Sequence, residues 1–413
     1  MTIRTNSMQL RAGIETTPNT NPGLTEADAV PCGKFIPEYG FEEIERLIVE
    51  EGIDAAKKMI GRETLGFNIV CEAMLSGIVG TEPKWGRLLE GCGFAKSVLA
   101  EAAIAAPIAG YANTGLAGLA IASAGAFTGT EPRIYKIEVT KAGISATAEV
   151  SVVCVGDTAQ NSTANVVTTA SPINLGDEGA TFTMTFASGS LVLGDKWYVY
   201  AYPPGIRYKP VAYDGDFKSV FFEHYLGGKL FKGGAARGNL SLSAPAGRIT
   251  QLSFSFQSIL NDIGDADVPV SVKDTRRPDI VQRANLHVNN DNTLVVANIT
   301  FETGNTLNPQ LDVNAEQGIK QIKIDGRDHV FGIDPEAKRD SLFPFWTLLR
   351  KRKEIPISFK VGNTPGSMLF VFIRHGVIDN PGMRDENNLL RYGMTGQCRP
   401  SSQGNDNIEF FIC

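Results

Sequence analysis

Apolar and polar side chains alternate with a period of two in stretches spread along the whole chain. Phe182, Met184 and Phe186 interleave with Thr181, Thr183 and Thr185. Leu252, Phe254 and Phe256 interleave with Ser253, Ser255 and Gln257, and Ile355, Ile357, Phe359 and Val361 with Ser358 and Lys360. That period places one set of side chains on a core face and the other on a polar or partner face of a strand. Helical spacing is rare. Phe41, Ile44, Leu47 and Ile48 fit one helix face, although Leu47-Ile48-Val49 also suits a strand. Trp85-Gly86-Arg87-Leu88-Leu89-Glu90 predicts a short helix after Pro83. The clearest helix is 341–350, with Leu342, Phe345, Trp346 and Leu349 at i, i+3, i+4 and i+7. With 43 glycines and 21 prolines punctuating short runs, the expected class is mainly β, a sandwich or barrel with a flanking helix.

Composition divides the chain. Residues 128–206 are rich in Thr, Val, Ser and Ala, low in charge, and carry strand patterns at Tyr135/Ile137/Val139, Val150/Val152/Cys154 and 197–202. They are read as a small immunoglobulin-like β-sandwich inserted into a larger β domain made of 1–127 and 207–413. The insert follows a stretch, 102–130, rich in alanine and glycine. Its few large side chains argue against a membrane span, and the N-terminal residues show no export signal.

Charge and chemistry narrow the function. Thirty-nine basic against 45 acidic residues leave a net charge of −6, which disfavours a dedicated nucleic-acid reader. Six cysteines form no CxxC pair, so neither zinc nor a cofactor is expected, and reduced thiols are the default. The histidines, His224, His287, His329 and His375, are scattered without metal-ligand spacing or a nucleophile elbow. Gly227-Gly228 and Gly233-Gly234 around Lys229-Leu230-Phe231-Lys232 lack phosphate-loop spacing and are read as two hairpin turns. Asp262, Asp265 and Asp267 lack the remaining ligands of a calcium loop. The basic run Arg350-Lys351-Arg352-Lys353 suits a helix C-terminus or a subunit contact. A β-rich chain of this kind, without catalytic signature, points to self-assembly before catalysis.

Three stretches, in order, resemble the major tail tube proteins of long-tailed, siphovirus-like bacteriophages. The first is Gly61-Arg62-Glu63-Thr64-Leu65-Gly66 with the strand that follows it, then Gly80-Thr81-Glu82-Pro83-Lys84-Trp85-Gly86-Arg87-Leu88-Leu89-Glu90-Gly91-Cys92-Gly93-Phe94. The second runs from Lys229-Leu230-Phe231-Lys232-Gly233-Gly234-Ala235-Ala236-Arg237-Gly238 through Pro245-Ala246-Gly247-Arg248 to the 252–256 strand. The third runs from Phe301-Glu302-Thr303-Gly304-Asn305 to Gly326-Arg327. The resemblance covers about 55–100 and 207–380 and departs from the simplest members by the insert and by Lys232-Gly233-Gly234-Ala235.

The resemblance implies a structural virion protein, not an enzyme. Its copies would assemble in the host cytoplasm into stacked hexameric rings, forming a tube through which genome DNA passes. Implied partners are other copies of itself and tape-measure, tail terminator and distal tail proteins, without membrane insertion. Cys32, Phe35, Glu51, Arg62, Trp346 and Arg350 are the candidate contacts between subunits or rings, and Glu72 and Glu223 the candidate lumen residues. The polar arm 1–35 is expected to order on a neighbour, as is the 51–62 loop, and Cys32 and Cys413 are placed for an intersubunit disulfide. The alternative is a β-rich distal-tail or surface adhesin using the insert. A polysaccharide hydrolase comes last, since it needs two carboxyl groups about 5–9 Å apart.

Overall fold

The computed structural model describes residues 7–45, 58–110, 113–114, 119–167, 171–186, 190–212, 216–270, 276–289, 293–386, 388–400 and 404–413. The fold is mainly β, built from antiparallel pairs. The main sheet has 15 strands. From one end it runs Glu38–Ile44, Met59–Glu72, Gln251–Asp265, Lys229–Pro245, Val296–Glu302, Val330–Pro335, Leu389–Arg399, Leu369–Glu386, Ile408–Ile412, Gly205–Pro210 and Phe94–Leu99. Strand Lys229–Pro245 is the pivot. Its first half pairs with Val220–Leu226, which carries Met8–Ile14 on its far side, and its second half pairs with Val296–Glu302.

Just before its change of partner, which falls between Ala236 and Ser241, the strand is bulged. Gly233-Gly234 do not form a second hairpin turn, as their composition suggested; they lie inside the strand, where its register slips between Lys232 and Gly233 and again between Gly234 and Arg237. Only the Gly227-Gly228 pair makes a turn. A Cβ on Gly233 would sit 2.4 Å from Ser258 Oγ, and one on Gly234 2.4 Å from Asn19 Oδ1. The glycines therefore let two backbones and the N-terminal segment close on one another.

Both arms of the sheet contribute to one core. Leu65, Phe67, Ile69 and Cys71 face Leu240, Leu242, Leu252, Phe254 and Phe256, and the same cluster takes in Phe301, Phe331, Met394, Val371 and Phe410. The sheet thus curls over itself, with helix Gly86–Gly91 plugged into the fold through Leu88, Leu89 and Trp85. Trp85 Nε1 donates to the Met74 carbonyl at 2.9 Å, and Gly86 is held 2.9 Å from the Pro83 carbonyl. The buried Glu90 bonds Lys218 and lies 3.6 Å from Lys96.

Two helical expectations change. Phe41 and Ile44 belong to strand Glu38–Ile44, held by pairing with Met59–Glu72; Leu47 and Ile48 lie outside the described residues. The second helix is only Phe345–Arg350, because Pro344 occupies its N-cap and 341–343 form a turn, with Leu342 N–H on the Arg339 carbonyl.

The insert is larger at its front than composition indicated. Its strands extend from Ala103–Ile104 to Lys196–Tyr202 and, among the described residues, pair only with one another in two sheets. Leu119–Gly125, from the Ala/Gly-rich stretch, pairs with Ala180–Phe186; no helix among the described residues is long and apolar enough to cross a membrane. The insert has its own core around Tyr135, Ile137, Val150, Val152, Phe182 and Trp197. It leaves the main sheet after Leu99 and returns at Gly205, and those two residues are directly paired. An insertion between adjacent paired strands preserves the host sheet because its ends are already neighbours. Gly125, at φ +110, would place a Cβ 2.1 Å from the Gly179 carbonyl oxygen. Gly125→Ala is expected to cost about 2–3 kcal/mol from backbone strain and clash, measured as a lower urea midpoint for the insert.

Candidate functional site

For a chain read as an assembling subunit, the relevant site is its surface: free strand edges, projecting hairpins and exposed apolar side chains. The path of the main sheet ends on two unlike edges, Glu38–Ile44 and Phe94–Leu99. The first belongs to a hairpin with Met59–Glu72 whose outer part carries Tyr39, Phe41, Ile44, Met59 and Ile60 exposed, Phe41 at 48% and Ile60 at 62%. The same hairpin carries acidic residues. Glu42 accepts from Arg62 Nε at 2.5 Å, Glu43 lies 2.7 Å from Lys58 Nζ, and Glu63 accepts from the Tyr39 hydroxyl.

Two further hairpins end in apolar tips. Leu369–Glu386 and Leu389–Arg399 expose Met383, Leu389 and Leu390. Asn305–Leu311 and Ile319–Arg327 form a separate two-stranded sheet that packs Ile319 and Ile322 against Ala235 and Ile259. Its tip exposes Leu311 and Val313. Asn305 fixes the root, donating to the carbonyls of Cys92 at 2.9 Å and Gly238 at 2.8 Å.

The residues singled out from the sequence scatter over this surface and core. Arg62 is on the first hairpin, ion-paired to Glu42, which holds its guanidinium above the usual range. Phe35 is half-buried and stacks on His224 with centroids 4.4 Å apart. Trp346 packs inward on Phe345 and Tyr392, while Arg350 is exposed at the C-terminal end of its helix, where a cation complements the helix dipole. Glu72 is exposed beside Gln251. Glu223 is buried, its carboxylate taken by Asn21 and Tyr225. Glu51 lies outside the described residues.

The N-terminal arm does not wait for a neighbour along its whole length. Met8–Ile14 is a strand of the chain's own sheet, Val30 N–H returns to the Leu10 carbonyl, and the buried Glu15 accepts from Ala235 N–H at 3.0 Å. Burial raises the Glu15 carboxyl above its usual range despite bonds from Ser219 and Ala235. Residues 1–6 lie outside the described residues. Cys413 is not at a mobile end. Its backbone exchanges two hydrogen bonds with Met368 at 3.2 Å, and its side chain is buried, pushing the thiol up to about 12. An intersubunit disulfide through it conflicts with that burial.

One arrangement had no sequence signal as a unit. The insert docks on the main sheet through Ile108, Ile134, Tyr200 and Tyr202 against Met368, Phe370, Phe372 and Phe411. Beside this apolar contact, the buried Arg374 lies 4.0 Å over the Tyr200 ring. Its Nη2 donates to Glu409 at 2.9 Å and to the Tyr202 hydroxyl at 3.3 Å, and Asp406 lies 3.5 Å from Nη1. Burial opposes the charge on Arg374, but Tyr200, Tyr202, Glu409 and Asp406 outweigh it and hold the guanidinium protonated. Lys360 to Glu131, at 2.8 Å, adds a second ionic tie. Of the three aspartates weighed against a calcium loop, Asp262 ion-pairs across strands with Lys232 at 3.5 Å and Asp265 with Lys229 at 2.5 Å. Among the described residues, no group of three or more His, Cys, Asp or Glu is arranged to hold a metal ion.

No protein-family model matches the chain, and no curated protein matches it.

Proposed function

We propose that this chain is the repeating subunit of a phage-type tail tube, polymerising as stacked hexameric rings around a channel for genome DNA. The observation that carries this reading is the projecting hairpin of Glu38–Ile44 and Met59–Glu72, an open edge bearing exposed Tyr39, Phe41, Ile44, Met59 and Ile60. Exposed edges and apolar patches of this kind seek partners. Glu38, Glu42 and Glu43 on that edge oppose pairing with an identical edge. Among the described residues, the two ends of this sheet path are unlike edges, which suits head-to-tail contacts, and such contacts give rings when the rotation closes. The resemblance of its ordered sequence motifs to those of tail tube proteins supports the same reading. Glu72, exposed, remains the lumen candidate; Glu223 is withdrawn because it is buried. In a channel, acidic walls let DNA slide where cationic walls would hold it.

Negative-stain microscopy of concentrated protein at neutral pH tests the reading. Hollow tubes or stacked rings are expected, and Phe41→Lys with Ile60→Lys should reduce polymer mass at least about tenfold, as desolvating two cations costs more than the apolar contact returns. Closed small oligomers from the parent protein, or tubes unaffected by the double substitution, overturn the assignment or the role of the hairpin, respectively.

The adhesin reading rests on a different observation. At the end of the insert away from the main sheet, Gly143 bridges Leu191, and Ile144, Val192 and Leu193 are exposed together. Glycan-array binding that is lost with Leu193→Asp would favour it.

A further inference from the structure

Cys32 and Cys71 are far apart in sequence but are brought to the same place. Gly33 N–H donates to the Val70 carbonyl at 2.7 Å, and Phe35 reaches Phe67 at 6.4 Å between ring centroids. Residues 32–35 therefore pass beside the end of strand Met59–Glu72 in the opposite direction, without forming a strand, where the edge strand Glu38–Ile44 no longer covers it. With Gly33 beside Val70, the preceding residue, Cys32, falls beside the following one, Cys71. A disulfide requires Cβ atoms about 3.5–4.5 Å apart, a separation that a small adjustment of this non-strand segment can supply.

Side-chain direction agrees. Cys71 is buried in the main core, and Cys32 is half-buried and packs against that same core. Both line one cavity of about 430 Å³, together with Met74, Trp85 and Arg276. The charge of one thiolate would be felt by the other. Of the remaining cysteines, Cys92, Cys154, Cys398 and Cys413 are all buried.

We propose that Cys32 and Cys71 are an oxidation site, closing an intrachain disulfide that clamps the N-terminal arm onto the main sheet. With a small-molecule disulfide such as oxidised glutathione as the oxidant, the Cys32 thiolate attacks one glutathione sulfur and expels the other as a thiolate. The Cys71 thiolate then attacks Cys32 Sγ, forming the Cys32–Cys71 bond and releasing the second glutathione. The two protein thiols are oxidised, the glutathione disulfide is reduced to two thiols, and the two protein protons pass to those thiols. The bond closes a loop of roughly 40 residues, the length range in which a cross-link removes appreciable freedom from the unfolded chain.

Burial raises both thiols, Cys32 to about 12. Closure should therefore be slow near neutrality and accelerate about tenfold per pH unit as the thiolate fraction rises.

The test uses the full chain treated with oxidised glutathione at pH 7, 8 and 9. Thiols are then counted under denaturing conditions, and intact mass and proteolytic peptides are recorded. Expected are the loss of two of the six thiols, a mass lower by two hydrogens, and a cross-linked peptide pair containing Cys32 and Cys71. Cys32→Ser should retain Cys71 as a free thiol under the same treatment, and Cys71→Ala should stop at a glutathione adduct on Cys32. In the oxidised protein, cleavage within 33–45 should leave the arm attached until a reductant is added. Six titratable thiols after treatment at pH 9, a stable glutathione adduct on Cys32 in the parent protein, or a bond joining any other pair overturns the proposal. An intermolecular Cys32–Cys71 bond, seen as a dimer on non-reducing gels, overturns the intrachain clamp.

Discussion

Replacing Arg374 by methionine is expected to cost about 3–5 kcal/mol, the usual penalty for stranding a buried ionic partner. The guanidinium is buried between the insert and the main sheet, so its loss leaves Glu409 with Lys209 at 3.4 Å as the remaining cation near it. The damage should be directional. Tyr200 and Tyr202 belong to the last strand of the insert, and Glu409 to the strand that pairs with Gly205–Pro210 on its return. Thermal unfolding should separate into two transitions, and proteolysis between Leu99 and Ala103 should accelerate. Arg374→Met with Glu409→Gln should recover part of the loss, because the buried Glu409 carboxylate is no longer left without the guanidinium, while Asp406 still loses Arg374 and Lys209 still loses Glu409. A single transition with unchanged midpoint in Arg374→Met, or a double variant no better than the single, would show that the apolar contact holds the insert without this cluster.

Mild acid is the second large perturbation. His224 is fully buried, with burial pushing its imidazole down to about 4, and His329 is held down to about 3 by burial and by Arg327, against the bond from Asn407. Both folded values lie below the unfolded value near 6.5. The stability from keeping them neutral is thus complete above about pH 6.5 and is lost as pH falls toward the folded values. Each histidine contributes a slope of about 1.4 kcal/mol per pH unit in that window. Roughly 5 kcal/mol should therefore disappear between pH 6.5 and 4.5, offset in part by Glu15, whose raised carboxyl favours the folded state on acidification. Urea midpoints measured across this range check it, and His224→Phe should flatten the slope by about half. An identical pH profile in that variant would exclude His224 as a source.

How much of this was legible depends on how far apart the interacting residues lie in sequence. The alternations at 181–186, 252–256 and 355–361 were visible because a strand writes its buried face into every second residue, and all three are strands. The Trp85–Glu90 helix was visible for a similar local reason, with Pro83 at its start. The apolar run Leu369-Phe370-Val371-Phe372-Ile373 has no alternation because both faces are covered, Leu369, Val371 and Ile373 by the main core and Phe370 and Phe372 by the insert. The insert's first boundary was misplaced because alanines and glycines in Leu119–Gly125 carry almost no strand signal of their own; pairing with Ala180–Phe186 makes them a strand.

The candidate surface residues fared unevenly for the same reason. The resemblance marked Glu72 and Glu223 alike, yet one is exposed and the other is enclosed by Asn21 and Tyr225, residues supplied by different parts of the chain. The exposed apolar hairpin at Tyr39, Phe41 and Ile60 carried no distinguishing pattern, since an apolar side chain on an edge looks in sequence like one facing a core.

By itself, then, the sequence determined the mainly-β class, the division into a host and an inserted unit, and the period of most strands, because hydrophobic periodicity and turn residues act over a few positions. Only the tertiary structure decided where the sheet changes partners, between Ala236 and Ser241, how Arg374 and Glu409 tie the insert down, and that Cys32 and Cys71 line one cavity. Those features depend on contacts between residues tens to hundreds of positions apart. Such contacts leave no local pattern, because either partner alone is an ordinary glycine, charge or thiol.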